Sequence, residues 1–383
     1  MPITTHPTAS SRLAPSSPPL RIVQMGPTGP KGGVSAVVTQ LSAELARQGH
    51  QVLVIGDGAN KLKPALEAGA SYEEVIYSRR LRVLAAQLGR VRKLLREFEP
   101  DVIHVHGRAQ ALLVRWSGLQ PDWFTLHNTH FTEQVSWYDR GALRRFLSPL
   151  GRKIFALDPR AIDYLRVHFG VDSERVHIVP NGVDCNAFVP LSEPDRSAAR
   201  ARFRVAPDDV LGVFVGRFHE QKNPQAVIKL AAAAKARGMS ALKTIMIGEG
   251  PLEGEVRSMI QERGLSDRVQ LLGWSDPRIA IQAADVFLMP SRYEGFPLAA
   301  VEALACGTPV LRTRTGGVAQ MIVEGQTGWG CDPEDDDDFI SKSLDVLSRP
   351  EDLGKMRAAC RKHAVEQLSL SVQAHRTVQA YRS

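Results

Sequence analysis

From residue 20 onward the chain alternates short aliphatic runs with longer stretches in which apolar positions recur every three or four residues. RIVQM (21–25), QVLVIG (51–56), DVIHVH (101–106) and WFTLH (123–127) read as buried strands, continued by KIFAL (153–157) and VHIVP (176–180). Between them lie crossover-length helical patterns, VSAVVTQLSAELARQG (34–49) and a basic stretch over 79–98. Alternation of this kind predicts right-handed βαβ units and a parallel sheet with helices on both faces. The second half repeats the pattern, with strands LGVFVG, KTIMIG, VQLLG, DVFLMP and TPVLRT and helices around 223–237, 252–263, 277–284 and 298–305. Two Rossmann-like domains of comparable size are expected, 21–187 and 188–363, divided near the Pro-, Asn- and Asp-rich segment 179–195. In such sheets ligands bind beyond the carboxyl ends of the strands, so two facing sheets create a cleft.

A chain of 383 residues with 43% hydrophobic and 23% charged residues fits two globular domains. No apolar run approaches the roughly 18 residues that span a bilayer. The four cysteines are far apart and form no C-x-x-C pair, which argues against a zinc site or a disulfide framework and suits a reducing cytoplasm. Residues 1–20, rich in Pro, Ser and Thr and without an apolar core, read as a disordered leader and not a signal peptide. The expected location is cytoplasmic.

Charge divides the halves. Residues 1–187 hold 23 Lys and Arg against 16 Asp and Glu, whereas residues 188–383 hold 25 of each. The excess concentrates in residues 79–98 and 140–153. In the first, Leu81, Leu84, Leu88, Val91 and Leu95 make one apolar helical face amid basic residues. Two readings stand: a surface helix packed on its sheet, and a surface whose arginines rest on anionic lipid headgroups at the inner face of the cell membrane. Nucleic acid is disfavoured, because no recognition motif or aromatic stacking platform accompanies the charge.

The most informative segment is PSRYEGFPLAAVEALACGTPV (290–310), in which a strand and a short loop lead into a helix with Pro297 at its start. Unpaired amides and the macrodipole make a helix start a diphosphate site. Glu302, about one and a half turns along, is placed to accept bonds from the vicinal hydroxyls of a ribose, and Glu294 lies nearer a reacting centre. Arg217 and Lys222 follow a strand end, where two fixed cations neutralise a diphosphate as it leaves. The loop 26–41 lacks both the Gly-Lys-Ser/Thr ending of a P-loop and a G-x-G-x-x-G fingerprint. The run DPEDDDDF (332–339) opens a predicted helix, so it reads as a helix start and not as a metal-binding Asp-x-Asp. His104, His106, His127 and His130 cluster at strand ends without a standard zinc spacing.

The segment from Glu294 to Glu302 resembles the Glu-x7-Glu motif of the retaining family 4 glycosyltransferases, which have the two-Rossmann GT-B fold. VPNGVD (179–184), VGRFHEQKNP (215–224), IGEGPLEGEV (247–256), LLGWSDP (271–277) and TGGVAQMIVEGQTG (315–328) resemble further landmarks of that family in the same order. The resemblance implies an α/β GT-B fold with a last helix, 364–383, crossing back to the first domain. It implies a donor diphosphate bound by Gly33, Arg217, Lys222, Phe296 and Leu298, a ribose on Glu302, and His127 and Glu294 beside the transferred sugar. Lys31 is a further candidate in the glycine loop. His106 is expected to support the sheet end, and the role of His130 stays open.

Many relatives carry Glu where this chain has Gln320. The implied activity is metal-independent, retaining transfer from a nucleotide diphosphate sugar, without a cofactor. Front-face attack is the expected mechanism, and double displacement through Glu294 is its rival. The expected acceptor is a lipid-linked saccharide or a lipopolysaccharide core in bacterial surface polysaccharide synthesis. A soluble acceptor (a small glycoside or a glucan) and a non-catalytic nucleotide-sugar-binding subunit are the alternatives.

Overall fold

The computed structural model describes residues 18–29, 32–59, 61–78, 80–127, 150–239 and 241–383. Most of the leader, Lys31, Arg79, His130 and residues 140–149 of the second basic stretch lie outside the described residues.

Among the described residues, seven strands form a parallel sheet in the first half: β1 (Arg21–Met25), β2 (Gln51–Gly56), β3 (Ser71–Glu74), β4 (Val102–Val105), β5 (Trp123–Leu126), β6 (Lys153–Ala156) and β7 (Val176–Ile178). Their order is β3-β2-β1-β4-β5-β6-β7. Six more form the second sheet: β8 (Val210–Val215), β9 (Leu242–Ile247), β10 (Val269–Leu271), β11 (Val286–Met289), β12 (Val310–Thr313) and β13 (Gly328–Cys331), in the order β10-β9-β8-β11-β12-β13. Both sheets wind outward in two directions from a central pair, β1 and β4 in one and β8 and β11 in the other. Each central pair is a topological switch point, where the crevice beyond the strand ends receives ligands.

Two edge strands were not expected from the sequence. β3, SYEE, is only partly buried and has no apolar run. β13, GWGC, runs so close to its neighbour that a Cβ on Gly328 would lie 1.9 Å from the Val310 carbonyl oxygen, so glycine replaces the usual aliphatic residue.

The basic stretch is two helices, Leu81–Ala86 and Leu88–Phe98, that meet at Gln87. Leu84, Val91 and Leu95 are buried as the stripe predicts, but Leu81 is 53% exposed. It therefore falls outside the packed face, flanked in the chain by exposed Arg80 and Arg82, and Ile76 is exposed as well.

The chain end differs in detail from a single helix over 364–383. Helix Pro350–Gln367 packs on the second half, and a separate helix, Leu370–Arg382, returns to the first. Between them Leu368 and Leu370 exchange backbone hydrogen bonds with Val183 at 3.0 and 2.9 Å. A Cβ on Gly182 would lie 2.4 Å from the Ser369 carbonyl oxygen, so the two crossings of the domain boundary touch backbone to backbone.

Candidate functional site

In the second half, the loops after β8 and β11 flank the switch point. Lys222, in the short 3-10 turn Glu220–Lys222, donates to the Glu294 carboxylate with Nζ to Oε1 at 2.5 Å. The carboxylate is buried and Lys222 is mostly so. Two of the sequence candidates are thus in direct contact. Arg217, the other expected cation, has an exposed side chain in the same β8 loop.

Helix Leu298–Ala305 starts immediately after Pro297. The amides of Leu298 and Ala299 belong to its first turn, where no carbonyl four residues back receives them within the helix. The positive end of the dipole therefore lies beside the Lys222–Glu294 pair. Phe296 is buried, and its ring packs on the Gly-Gly loop 316–317, where a Cβ on Gly317 (φ +75°) would come within 2.5 Å of that ring. Its side chain fixes the loop. Any phosphate contact at this position falls to backbone.

Glu302 sits farther along the helix, away from Glu294. Burial, and then the neighbouring Asp276 charge, push its carboxyl up to about 7, with Arg278 partly opposing them. Its ionisation is therefore held near neutrality.

Three residues that sequence reasoning missed organise these loops. Asp336, first residue of helix Asp336–Leu347, accepts from Asn223 Nδ2 at 2.8 Å and Lys229 Nζ at 2.7 Å, and pairs with Arg292 at 2.8 Å. Burial alone would raise its carboxyl, but those donors hold it below the usual range. It ties the Lys222 loop to the Glu294 loop. The acidic run containing it is indeed a helix start: Asp335 caps the amides of Asp337 and Asp338. Among the described residues no cluster of three or more His, Cys, Asp and Glu side chains could hold a metal ion.

The second missed residue is Arg312, on β12 and fully buried. It donates to Thr315 Oγ1 and the Gly316 carbonyl, both at 2.8 Å, and so braces the loop whose Gly316 amide donates to the Glu294 carbonyl at 3.1 Å. Burial lowers the guanidinium to about 10, leaving it cationic at neutral pH. The third is Asp158, just past β6, which accepts from the Gly317 amide across the domain boundary at 2.8 Å. Burial would raise this carboxyl, but bonds from Arg160 and Gly317 keep it low.

In the first half, Gly33 is the exposed first residue of helix Gly33–Arg47, which follows β1. His127, just past β5, is buried, with Nε2 2.9 Å from His106 Nδ1. Burial lowers His127 to about 4 and His106 well below its ordinary value. Both imidazoles are neutral at physiological pH. Gln320 lies on the short helix Val318–Met321; its backbone carbonyl accepts from His363 Nε2 at 2.8 Å, and its side-chain oxygen is buried without a partner among the described residues.

The second half thus gathers cations and helix amides at its strand ends, and the first half neutral hydrogen-bonding groups at its own. The family model for Glycosyl transferases group 1 matches residues 195–367, and that for Glycosyltransferase Family 4 matches residues 31–187. EpsF of Bacillus subtilis (strain 168), assigned as a glycosyltransferase, is 35% identical over 233 residues, spanning 58% of this chain and 59% of that protein. The D-inositol 3-phosphate glycosyltransferase of Arthrobacter sp. (strain FB24) is 28% identical over 377 residues, 88% of this chain and 87% of that one. Among solved structures, Anabaena Alr3699/HepE in complex with UDP is similar at a TM-score of 0.80 and 18% identity, over 94% of this chain and 99% of that one. That similarity is one of fold.

Proposed function

We propose that this chain, which belongs to the group 1 glycosyltransferases with a family 4 first half, moves a sugar with retention from a nucleotide diphosphate sugar to a membrane-held saccharide acceptor. The observation that carries the donor reading is the Lys222–Glu294 pair at the mouth of helix Leu298–Ala305. A diphosphate entering there meets helix amides and two basic side chains, Lys222 and Arg217, and Lys222 exchanges a carboxylate for phosphate oxygens. The charge that grows on the leaving diphosphate is stabilised by the same groups. Glu294, released from Lys222, turns to the hydroxyls of the transferred sugar, and Glu302 accepts from the ribose.

His127, neutral and fixed, hydrogen-bonds near the reacting centre. Front-face attack, with the departing phosphate taking the acceptor proton, uses these groups without a metal or a protein nucleophile. Closure of the halves excludes the water that would hydrolyse the donor.

A thermal-shift panel of UDP, GDP, ADP and their sugars tests this reading. A ligand at a hundred times its dissociation constant adds about 2.7 kcal/mol to stability. A stabilising nucleotide sugar should also be consumed in a transfer assay, and a panel without any shift would count against the assignment.

The acceptor reading rests on the positive first half and on Ile76 and Leu81, 57% and 53% exposed, within a few residues of Arg80 and Arg82 in the chain. Apolar side chains among basic ones suit a peripheral site on anionic lipid at the cytoplasmic face of the membrane. No helix among the described residues is long and apolar enough to cross a membrane. Flotation with anionic vesicles at moderate salt tests this, and absence of binding would favour a soluble acceptor. That second reading draws support from the relative named for D-inositol 3-phosphate, which matches 88% of this chain.

A further inference from the structure

Buried parallel sheets are ordinarily aliphatic on both faces. One face of the first sheet is not. Gln24 on β1, His104 on β4, His106 just beyond it, Thr125 on β5 and His127 just beyond that are all buried. The register places Gln24 beside His104. The closing helix Leu370–Arg382 brings Tyr381 onto this face, its ring 5.9 Å from Trp123 and 6.0 Å from Phe155.

The polar groups form one connected chain. Gln24 Nε2 donates to the Tyr381 hydroxyl at 3.0 Å. With the hydroxyl accepting there, its proton is directed to His104 Nδ1 at 2.7 Å, which leaves the His104 proton on Nε2, 2.6 Å from Thr125 Oγ1. At the other end of the amide, Gln24 Oε1 accepts from His106 Nε2 at 2.6 Å. A neutral imidazole has one proton. With its proton on Nε2, His106 offers Nδ1 only as an acceptor, so the 2.9 Å bond between the two rings is a donation from His127 Nε2. His127 is left with an unprotonated Nδ1.

Each assignment follows from the orientation of the Gln24 amide. Turned over, the amide would reverse every donor and put the His127 proton on Nδ1. The structure holds the first orientation, with Gln24 Nε2 on the Tyr381 hydroxyl and Oε1 on His106 Nε2.

We propose that Tyr381, two residues from the chain end, is a positioning residue that holds the Gln24 amide and thereby fixes His127, through His106, as the Nε2–H tautomer with Nδ1 as a bare acceptor. The inference deepens the proposed function and rests on it only for the effect on turnover. A tautomer set by a neighbour's hydrogen bond changes which atom meets a substrate hydroxyl without moving the ring. The closing helix would in this way reach the reacting centre through three side chains.

The test is a long-range proton–nitrogen correlation spectrum of the full chain labelled with 15N-histidine, with the His127 signals identified by their loss in His127→Gln. The wild type should show His127 as Nε2–H. Tyr381→Phe keeps the ring and removes the hydroxyl; it should give His127 as a mixture of tautomers and lower kcat roughly tenfold with donor KM unchanged. Gln24→Leu should give the same mixture, and it decides the matter should Tyr381→Phe not fold. An Nδ1–H pattern in the wild type, or an unchanged Nε2–H pattern in the folded variants, overturns the proposal. The expected tautomers in a chain that transfers no sugar would remove the proposed function and leave the tautomer lock standing. Active transfer with the Nδ1–H form would do the opposite.

Discussion

The two halves share a strand order about their switch points but differ in what they place there. The second half gathers charge: Lys222 on Glu294, Arg292 and Lys229 on Asp336, and Arg312 buried behind the Gly-Gly loop. The first half gathers uncharged imidazoles, an amide and a phenol, with His104 held at about 3 and His127 at about 4 by burial. A diphosphate needs fixed counter-charge, whereas sugar hydroxyls need acceptors of defined direction that do not compete for the anion. One fold, used twice, separates the two tasks by the polarity of its strand-end residues.

The comparison breaks most severely at Lys222. Lys222→Ala should lower kcat by about 100- to 1,000-fold, roughly 3–4 kcal/mol of transition-state stabilisation, in steady-state transfer assays. A change below threefold would remove the diphosphate from this wall. Next in size is Arg312→Met, which leaves the buried Gly316 carbonyl without its donor. It should cost about 3 kcal/mol of stability, read from the denaturant midpoint at unchanged slope.

Glu302 gives the pH dependence. Its carboxyl lies near 7 when folded, and ribose hydroxyls favour the ionised form. Nucleotide affinity should therefore weaken by up to about tenfold from pH 8 to pH 6, and Glu302→Gln should flatten that profile in calorimetric titrations. The stability sign is the reverse. A carboxyl raised when folded contributes stability that is fully present below its unfolded value near 4.5 and lost as pH rises through about 7. Glu302→Gln should thus raise the melting temperature at pH 8 more than at pH 5. The smallest effect is expected at the boundary: Asp158→Asn weakens the bond to the Gly317 amide and should cost about 1 kcal/mol in the same denaturation experiment.

Much of this frame was legible in the chain. Aliphatic runs marked the central strands because those strands are buried on both faces, and the Glu294 to Glu302 segment stood out because strand, loop and proline occur together. The edge strands were not legible. SYEE packs on one side only, and GWGC gives up aliphatic bulk to approach β12. Arg312 reads as an ordinary basic residue within a strand pattern, since nothing local says that its guanidinium turns inward. Asp336 looked like one capping aspartate among four. The contact between His106 and His127 depends on the register of two strands, and that of Tyr381 with Gln24 on the path of the last helix, neither of which a single segment encodes.

The most direct measurement is a crystal structure of the chain soaked with the nucleoside diphosphate that stabilises it best. The account predicts phosphate oxygens on the Leu298 and Ala299 amides, Arg217 folded in from solvent, and Lys222 Nζ moved from Glu294 onto the diphosphate. A nucleotide bound elsewhere, with the 2.5 Å Lys222–Glu294 pair intact, would contradict it.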